Sequence, residues 1–101
     1  MTIIPEPVAF EWDSGNVEKS IKKHSVSIKE AEETFENESR FLFVDEKHSG
    51  SEKRYGMYGK TNAGRQLSLV LTIRNDKVRI ITVRPMSHKE RRSYEKIKTS
   101  T

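Results

Sequence analysis

Cysteine is absent from the 101 residues, which excludes disulfides, thiolate nucleophiles and cysteine-bound metals and fits a reducing compartment. No apolar run approaches the roughly 20 residues that a membrane span needs. The N-terminus shows no basic segment followed by an apolar one, so a signal peptide is not expected. These absences predict a soluble cytoplasmic protein without a membrane partner. The familiar site signatures are missing too: no phosphate loop, no dinucleotide fingerprint, no Cys/His metal spacing and no G-x-S-x-G elbow. His24, His48 and His88 fall in different predicted elements, and nothing arranges them around a metal. Neither metal nor cofactor is expected. Hydrophobic residues make up 33% of the chain against 34% charged. That balance predicts one small domain over residues 1–101 with a modest core and a highly charged surface.

The charge that is present is divided. Residues 1–52 hold six Lys/Arg and twelve Asp/Glu, whereas residues 53–101 hold thirteen Lys/Arg and three Asp/Glu. A basic half of this density suggests a phosphate-rich partner. The alternative is that the two halves neutralise each other across the fold.

The dominant stretch runs from Gln66 to Ile97. Leu67 to Ile73 and Val78 to Val83 are apolar, β-branched runs around the polar turn Arg74-Asn75-Asp76-Lys77, which predicts a β-hairpin. Both arms are apolar on both faces, as in central strands covered on each side. Pro85 separates the return strand from a helix whose start is marked by the S-x-x-E box of Ser87 and Glu90. Upstream, Val8 to Trp12 predicts a short strand with Val8, Phe10 and Trp12 on one face, Trp12 belonging to the core. Asp13 or Ser14 can cap a first helix to about His24, and Ser25-Val26 breaks it. Ser27 and Glu30 open a second helix with Ile28, Ala31 and Phe35 inward and Glu30, Glu32, Glu33 and Glu36 outward. Phe41 to Val44 and Arg54 to Gly59 predict strands separated by a mobile loop, Asp45 to Lys53. Gly56 and Gly59 imply a bulge or a close backbone approach. Thr61 to Gly64 is turn chemistry. The order β-α-α-β-β-β-β-α predicts an α+β fold: a mostly antiparallel sheet, an N-terminal helix pair packed on it and a C-terminal helix.

Arg, Lys, Tyr and His around a sheet suit RNA cleavage without a metal. The ribose 2′-hydroxyl must lose a proton as it attacks phosphorus, and the leaving 5′-oxygen must gain one. Arg and Lys can stabilise the charge that builds on the phosphorane oxygens.

Several segments resemble the BrnT toxins. They are Glu11-Trp12-Asp13, Lys23-His24, Ser27-x-x-Glu30-Ala31, Glu52-x-Arg54, Gly59 and Gly64-Arg65. The most specific is Ile80-Ile81-x-x-Arg84-Pro85-Met86-Ser87-x-Lys89-Glu90-Arg91-Arg92-x-Tyr94-Glu95. The likeness runs collinearly over roughly residues 9–95, and Glu38 to Ser51 matches least. The resemblance implies a RelE-like α+β fold and a type II toxin–antitoxin system in which this chain is a ribonuclease that arrests translation. It further implies a BrnA-like antitoxin carrying a ribbon-helix-helix domain, so that DNA is met only through that partner. Two rival readings are a non-catalytic RNA-binding module and a corepressor acting with a DNA-binding antitoxin.

The candidate catalytic residues are Arg84, Arg54, His24, Arg91 and Tyr94. Arg79, Lys89 and Arg92 are candidates for holding RNA. Arg84 ends the return strand and reads either as a phosphate clamp or as a salt-bridge partner of the acidic helix pair. Arg54 is a second clamp candidate. Arg91 and Arg92 point about 100° apart on a helix, so one faces the site and the other faces solvent or the antitoxin. His24 stands at a helix C-terminus, where the dipole attracts positive charge; it reads as general acid, phosphate donor or packed helix end. Tyr94 could supply a hydroxyl, stack on a base or belong to the core. Glu90 is engaged by its cap, and no residue stands out as general base.

Overall fold

The computed structural model describes residues 9–12, 18–19, 22–37, 39–47, 50 and 52–99. The expected caps Asp13 and Ser14, and Val8, lie outside the described residues. So do His48, Ser49 and Ser51 of the expected loop. Glu18, Lys19 and Lys22 to His24 are helical, as expected for a first helix ending at His24. The other elements are β1 (Phe10–Glu11), α1 (Ile28–Glu36), β2 (Phe41–Val44), β3 (Tyr55–Lys60), β4 (Gln66–Arg74), β5 (Lys77–Pro85) and α2 (His88–Thr99). The sheet order is β1-β5-β4-β3-β2.

The hairpin β4–β5 is the centre of the sheet. Asn75 and Asp76 both have positive φ, 51° and 60°, the conformation of a type I′ turn, whose twist matches that of the strands it joins. Leu67, Leu69, Leu71, Val78, Ile80 and Val83 form one core with Met57 of β3 and with Val26, Ala31 and Phe35 of the helical layer. Each of these buried Leu, Val, Ile, Met and Phe side chains contributes about 1.5–3 kcal/mol. Strict alternation would send Val78 and Ile80 to the face opposite Val83. A register shift prevents this: Val70 pairs with Thr82 but Leu71 pairs with Ile80, so Ile81 is an extra residue in β5. The expected coverage of both arms on both faces holds for β4 but not for β5, where Thr82 and Arg84 are exposed.

Both capping boxes form. Ser27 and Glu30 bond reciprocally at the start of α1, as do Ser87 and Glu90 at α2. Ser25 at φ 54° makes the break before α1. Ala31, Thr34 and Phe35 are the buried face of α1, whereas Ile28, expected inward, is 39% exposed because it opens the first turn before the helix meets the sheet. Nor do the glutamates simply face water. Glu32 accepts from the Trp12 indole at 2.8 Å, Glu33 from the Asn62 amide at 3.0 Å, and Glu30 pairs with Arg65 at 3.3 Å.

The glycines of β3 serve a close approach rather than a bulge. A β-carbon on Gly59 would stand 2.8 Å from Cβ of Thr34 in α1, and one on Gly56 would strike the Phe43 ring. The predicted first strand shortens to Phe10–Glu11 and pairs parallel to β5 through Val78 and Arg79, while the other strand pairs are antiparallel. The charge halves do meet: Glu11, Glu30 and Glu52 are paired with Arg79, Arg65 and Arg74.

Candidate functional site

β1 accompanies β5 only at Val78 and Arg79. Among the described residues, the last part of β5 therefore has no strand neighbour on that side. An open cleft of about 310 Å³ lies there, walled by Ile81 to Arg84 and by Lys19, Lys23 and His24 of the first helix. Lys19 and Lys23 are four residues apart and share a helix face. Arg65 holds this helix end, donating to the main-chain oxygens of His24 at 3.0 Å and Ser25 at 2.8 Å. The arrangement sets three cationic side chains and an imidazole around a space open to solvent.

Arg84 is the penultimate residue of β5, with the Pro85 ring and the Ser87 cap turning the chain into α2. Its Nη atoms donate to both carboxylate oxygens of Glu90, at 2.6 and 2.9 Å. Glu90 also accepts the Ser68 hydroxyl at 3.2 Å. This contact with Arg84 brings the Glu90 pKa down to about 2, against a smaller opposing effect of burial and with help from the Ser87 amide. Glu90 is therefore a carboxylate of low basicity and unsuited to general base chemistry at neutral pH. Its charge in turn raises the pKa of Arg84. Strand register sets Tyr58 opposite Ser68 and Ser68 opposite Arg84, a row across three strands. The Tyr58 pKa is raised, first by burial and then by the Glu90 charge, with Arg84 opposing.

Of the residues singled out from the sequence, the fold brings His24 and Arg84 together in the cleft. Lys89, Arg91 and Arg92 are exposed on the first turns of α2. Arg54 precedes Tyr55, which pairs with Leu71 and through it with Ile80. That places Arg54 at the hairpin-turn end of the sheet, roughly 13 Å along the strands from the Arg84 row. Arg79 faces Glu11 at 3.5 Å in the β1–β5 ladder, outside the cleft. Tyr94 is fully buried, its hydroxyl donating to the Ser39 carbonyl at 2.8 Å and its ring edge-on to Tyr58 at 6.4 Å. Of its readings, the core one matches this geometry, since a ring with no exposed surface cannot stack on a base. The sequence reading names Lys23 only within the Lys23-His24 motif and Lys19 not at all, although their spacing beside His24 was a usable signal. Ser68 and Tyr58 gave none, because their neighbours are set by strand register.

Fold and cleft together define a class: a small α+β protein with a cationic cleft beside the end of β5. The chain belongs to the BrnT family, described as the ribonuclease toxin of type II toxin–antitoxin systems, whose family model matches residues 12–90. No curated protein sequence matches the chain. Among solved structures, the 1.1 Å crystal structure of the Brucella abortus ribonuclease toxin BrnT is similar, with a TM-score of 0.60 and 17% identity. The match covers 80% of this chain and 99% of that one; at such identity the likeness establishes the fold.

Proposed function

We infer that this chain is an endoribonuclease toxin that cleaves RNA without a metal and arrests translation, its site being the cleft between the first helix and the end of β5. The observation that carries this reading is the meeting of His24 with Lys19, Lys23 and Arg84 around one open space. In the reaction the 2′-oxygen attacks phosphorus and its proton leaves to water in the open cleft. The bond from phosphorus to the 5′-oxygen breaks, and a 2′,3′-cyclic phosphate remains. Arg84, Lys19 and Lys23 stabilise the phosphorane charge, and His24 in its protonated form hands a proton to the departing 5′-oxygen. Lys89, Arg91 and Arg92 extend the basic surface along α2 and hold flanking phosphates. Arg54, Arg79 and Tyr94 serve the scaffold.

A BrnA-like antitoxin with a ribbon-helix-helix domain switches the toxin off by laying an acidic segment over Arg84, Arg91 and Arg92. The test is incubation of the purified chain with single-stranded RNA in chelator, followed by analysis of the ends. Cyclic phosphate products that vanish with His24→Ala support the reading. Intact RNA with a folded wild-type protein overturns it in favour of a binding or corepressor module.

A further inference from the structure

Glu90 makes more contacts than a helix cap requires. Its Oε1 serves the cap, accepting from the Ser87 amide at 2.8 Å, and also meets Nη1 of Arg84 at 2.6 Å. Its Oε2 has no part in the cap: it accepts from Nη2 of Arg84 at 2.9 Å and from the Ser68 hydroxyl at 3.2 Å. One carboxylate oxygen is thus given over to the guanidinium, steadied from the sheet below. A guanidinium is a rigid planar fork, so fixing one edge fixes the others. Glu90 takes the end formed by the two Nη atoms, and the Pro85 carbonyl accepts from Nη1 at 3.2 Å. Among the described residues the Nε–H of Arg84 meets no acceptor, and the side chain is 44% exposed where it lines the cleft.

We propose that Glu90 is a positioning residue for the phosphodiester site: it grips Arg84 end-on so that the Nε side of the guanidinium meets a phosphate oxygen. The proposal rests on the ribonuclease reading of that cleft. It differs from a blocking role, in which Glu90 would compete with phosphate for Arg84 and its removal would tighten binding. It differs equally from a cap alone, in which loss of Ser87 would do the same damage as loss of Glu90.

The experiment follows the Arg84 Nε–H resonance by nitrogen-detected NMR while inorganic phosphate is added to wild type, Glu90→Gln and Ser87→Ala. Phosphate is expected to shift the resonance in wild type and Ser87→Ala, with affinity about tenfold weaker in Glu90→Gln. No turnover is needed, so a chain that binds phosphate this way but leaves RNA intact refutes the ribonuclease reading while the positioning stands. On single-stranded RNA, Glu90→Gln is expected to lower kcat on the order of 10²-fold, as misplacement of a reacting group does, with KM within a few-fold. In an Arg84→Ala background it should cause no further loss, because Glu90 acts through Arg84. Should Glu90→Gln unfold, Ser68→Ala, which removes a contact to Oε2 and leaves the cap, is expected to weaken phosphate binding in the same sense. Unchanged or tighter binding in Glu90→Gln or in Ser68→Ala, a silent Nε–H in wild type, equal losses in Ser87→Ala, or additive losses with Arg84→Ala would each overturn the proposal.

Discussion

The guanidinium of Arg65 lies 3.0 Å from the main-chain oxygen of His24, forty-one residues earlier in the chain. It also reaches Ser25 and pairs with Glu30. One side chain thus ties the end of the first helix to the start of α1 from the turn before β4, and the position of His24 over β5 depends on it. Arg65→Ala is expected to destabilise by about 1–2 kcal/mol, the scale of a few partly exposed charge-assisted hydrogen bonds. RNA cleavage should fall alongside. Thermal unfolding and initial rates check this together; an unchanged melting temperature would show that the tie carries no stability.

Arg84→Ala should abolish most cleavage while the fold persists. The side chain is 44% exposed, so little packing is lost, whereas a transition-state donor of this kind is worth on the order of 10²–10³ in rate. Circular dichroism and product yield separate the two effects. Near-normal cleavage by the folded variant would move the site away from the end of β5.

Tyr94 separates the scaffold from the chemistry. Tyr94→Phe keeps the ring against Tyr58 and removes the bond to Ser39. The expected cost is about 1–2 kcal/mol in denaturant unfolding with no change in cleavage rate. Tyr94→Ala should cost about 3–5 kcal/mol by emptying the space beneath α2. A stable Tyr94→Phe protein without activity would place the hydroxyl in the reaction.

Acid should expose the Arg84–Glu90 pair. The Glu90 pKa falls from the ordinary 4.5 to about 2 in the folded chain, chiefly through Arg84. A carboxyl with a lower pKa folded than unfolded stabilises fully above pH 4.5, and its contribution is lost as pH falls towards 2. Urea unfolding between pH 6 and 2 is expected to show stability dropping over that window, less steeply in Glu90→Gln. Glu30 and Glu52 are shifted in the same direction, so some slope remains in the variant. Parallel curves would mean the pair adds no net stability.

RNA binding should be steeply salt-dependent. Phosphate contacts from Lys19, Lys23 and Arg84 in the cleft and from Lys89, Arg91 and Arg92 along α2 predict a slope of about −4 for log affinity against log salt, from roughly −0.7 per contact on a single strand. Fluorescence anisotropy with an RNA oligonucleotide at several salt concentrations measures it. Each Lys→Ala substitution in the cleft should make the slope less negative by about 0.7. A slope near zero would remove the phosphate-contact reading of the cleft.

What could be read from residues in order is what depends on near neighbours. The hairpin over Asn75 and Asp76, the boxes at Ser27 and Ser87, and the Ser25 break each rest on interactions within a few positions, where side-chain chemistry acts directly on its own backbone. Gly56 and Gly59 were legible only as a bulge or a close approach, and the fold decides for the close approach. The resemblance to BrnT toxins, carried by motifs such as Arg84-Pro85-Met86-Ser87, agrees with the family match over residues 12–90.

Other features required the folded chain, because they depend on how distant segments are registered against one another. The extra residue at Ile81 turns Val78 and Ile80 inward beside Val83, although their spacing alone would part them. Parallel pairing of Phe10 with Val78 stops after Glu11 and leaves the end of β5 without a strand neighbour on that side among the described residues. Arg84 and Arg54, the first and second clamp candidates in the linear reading, fall at opposite ends of the sheet once Tyr55 aligns with Leu71 and Tyr58 with Ser68. Lys19 and Lys23 become part of a cleft only because their helix lies against the end of β5. A side chain's type is written in the chain, but the groups it meets across β-strands change faces with a shift of a single residue.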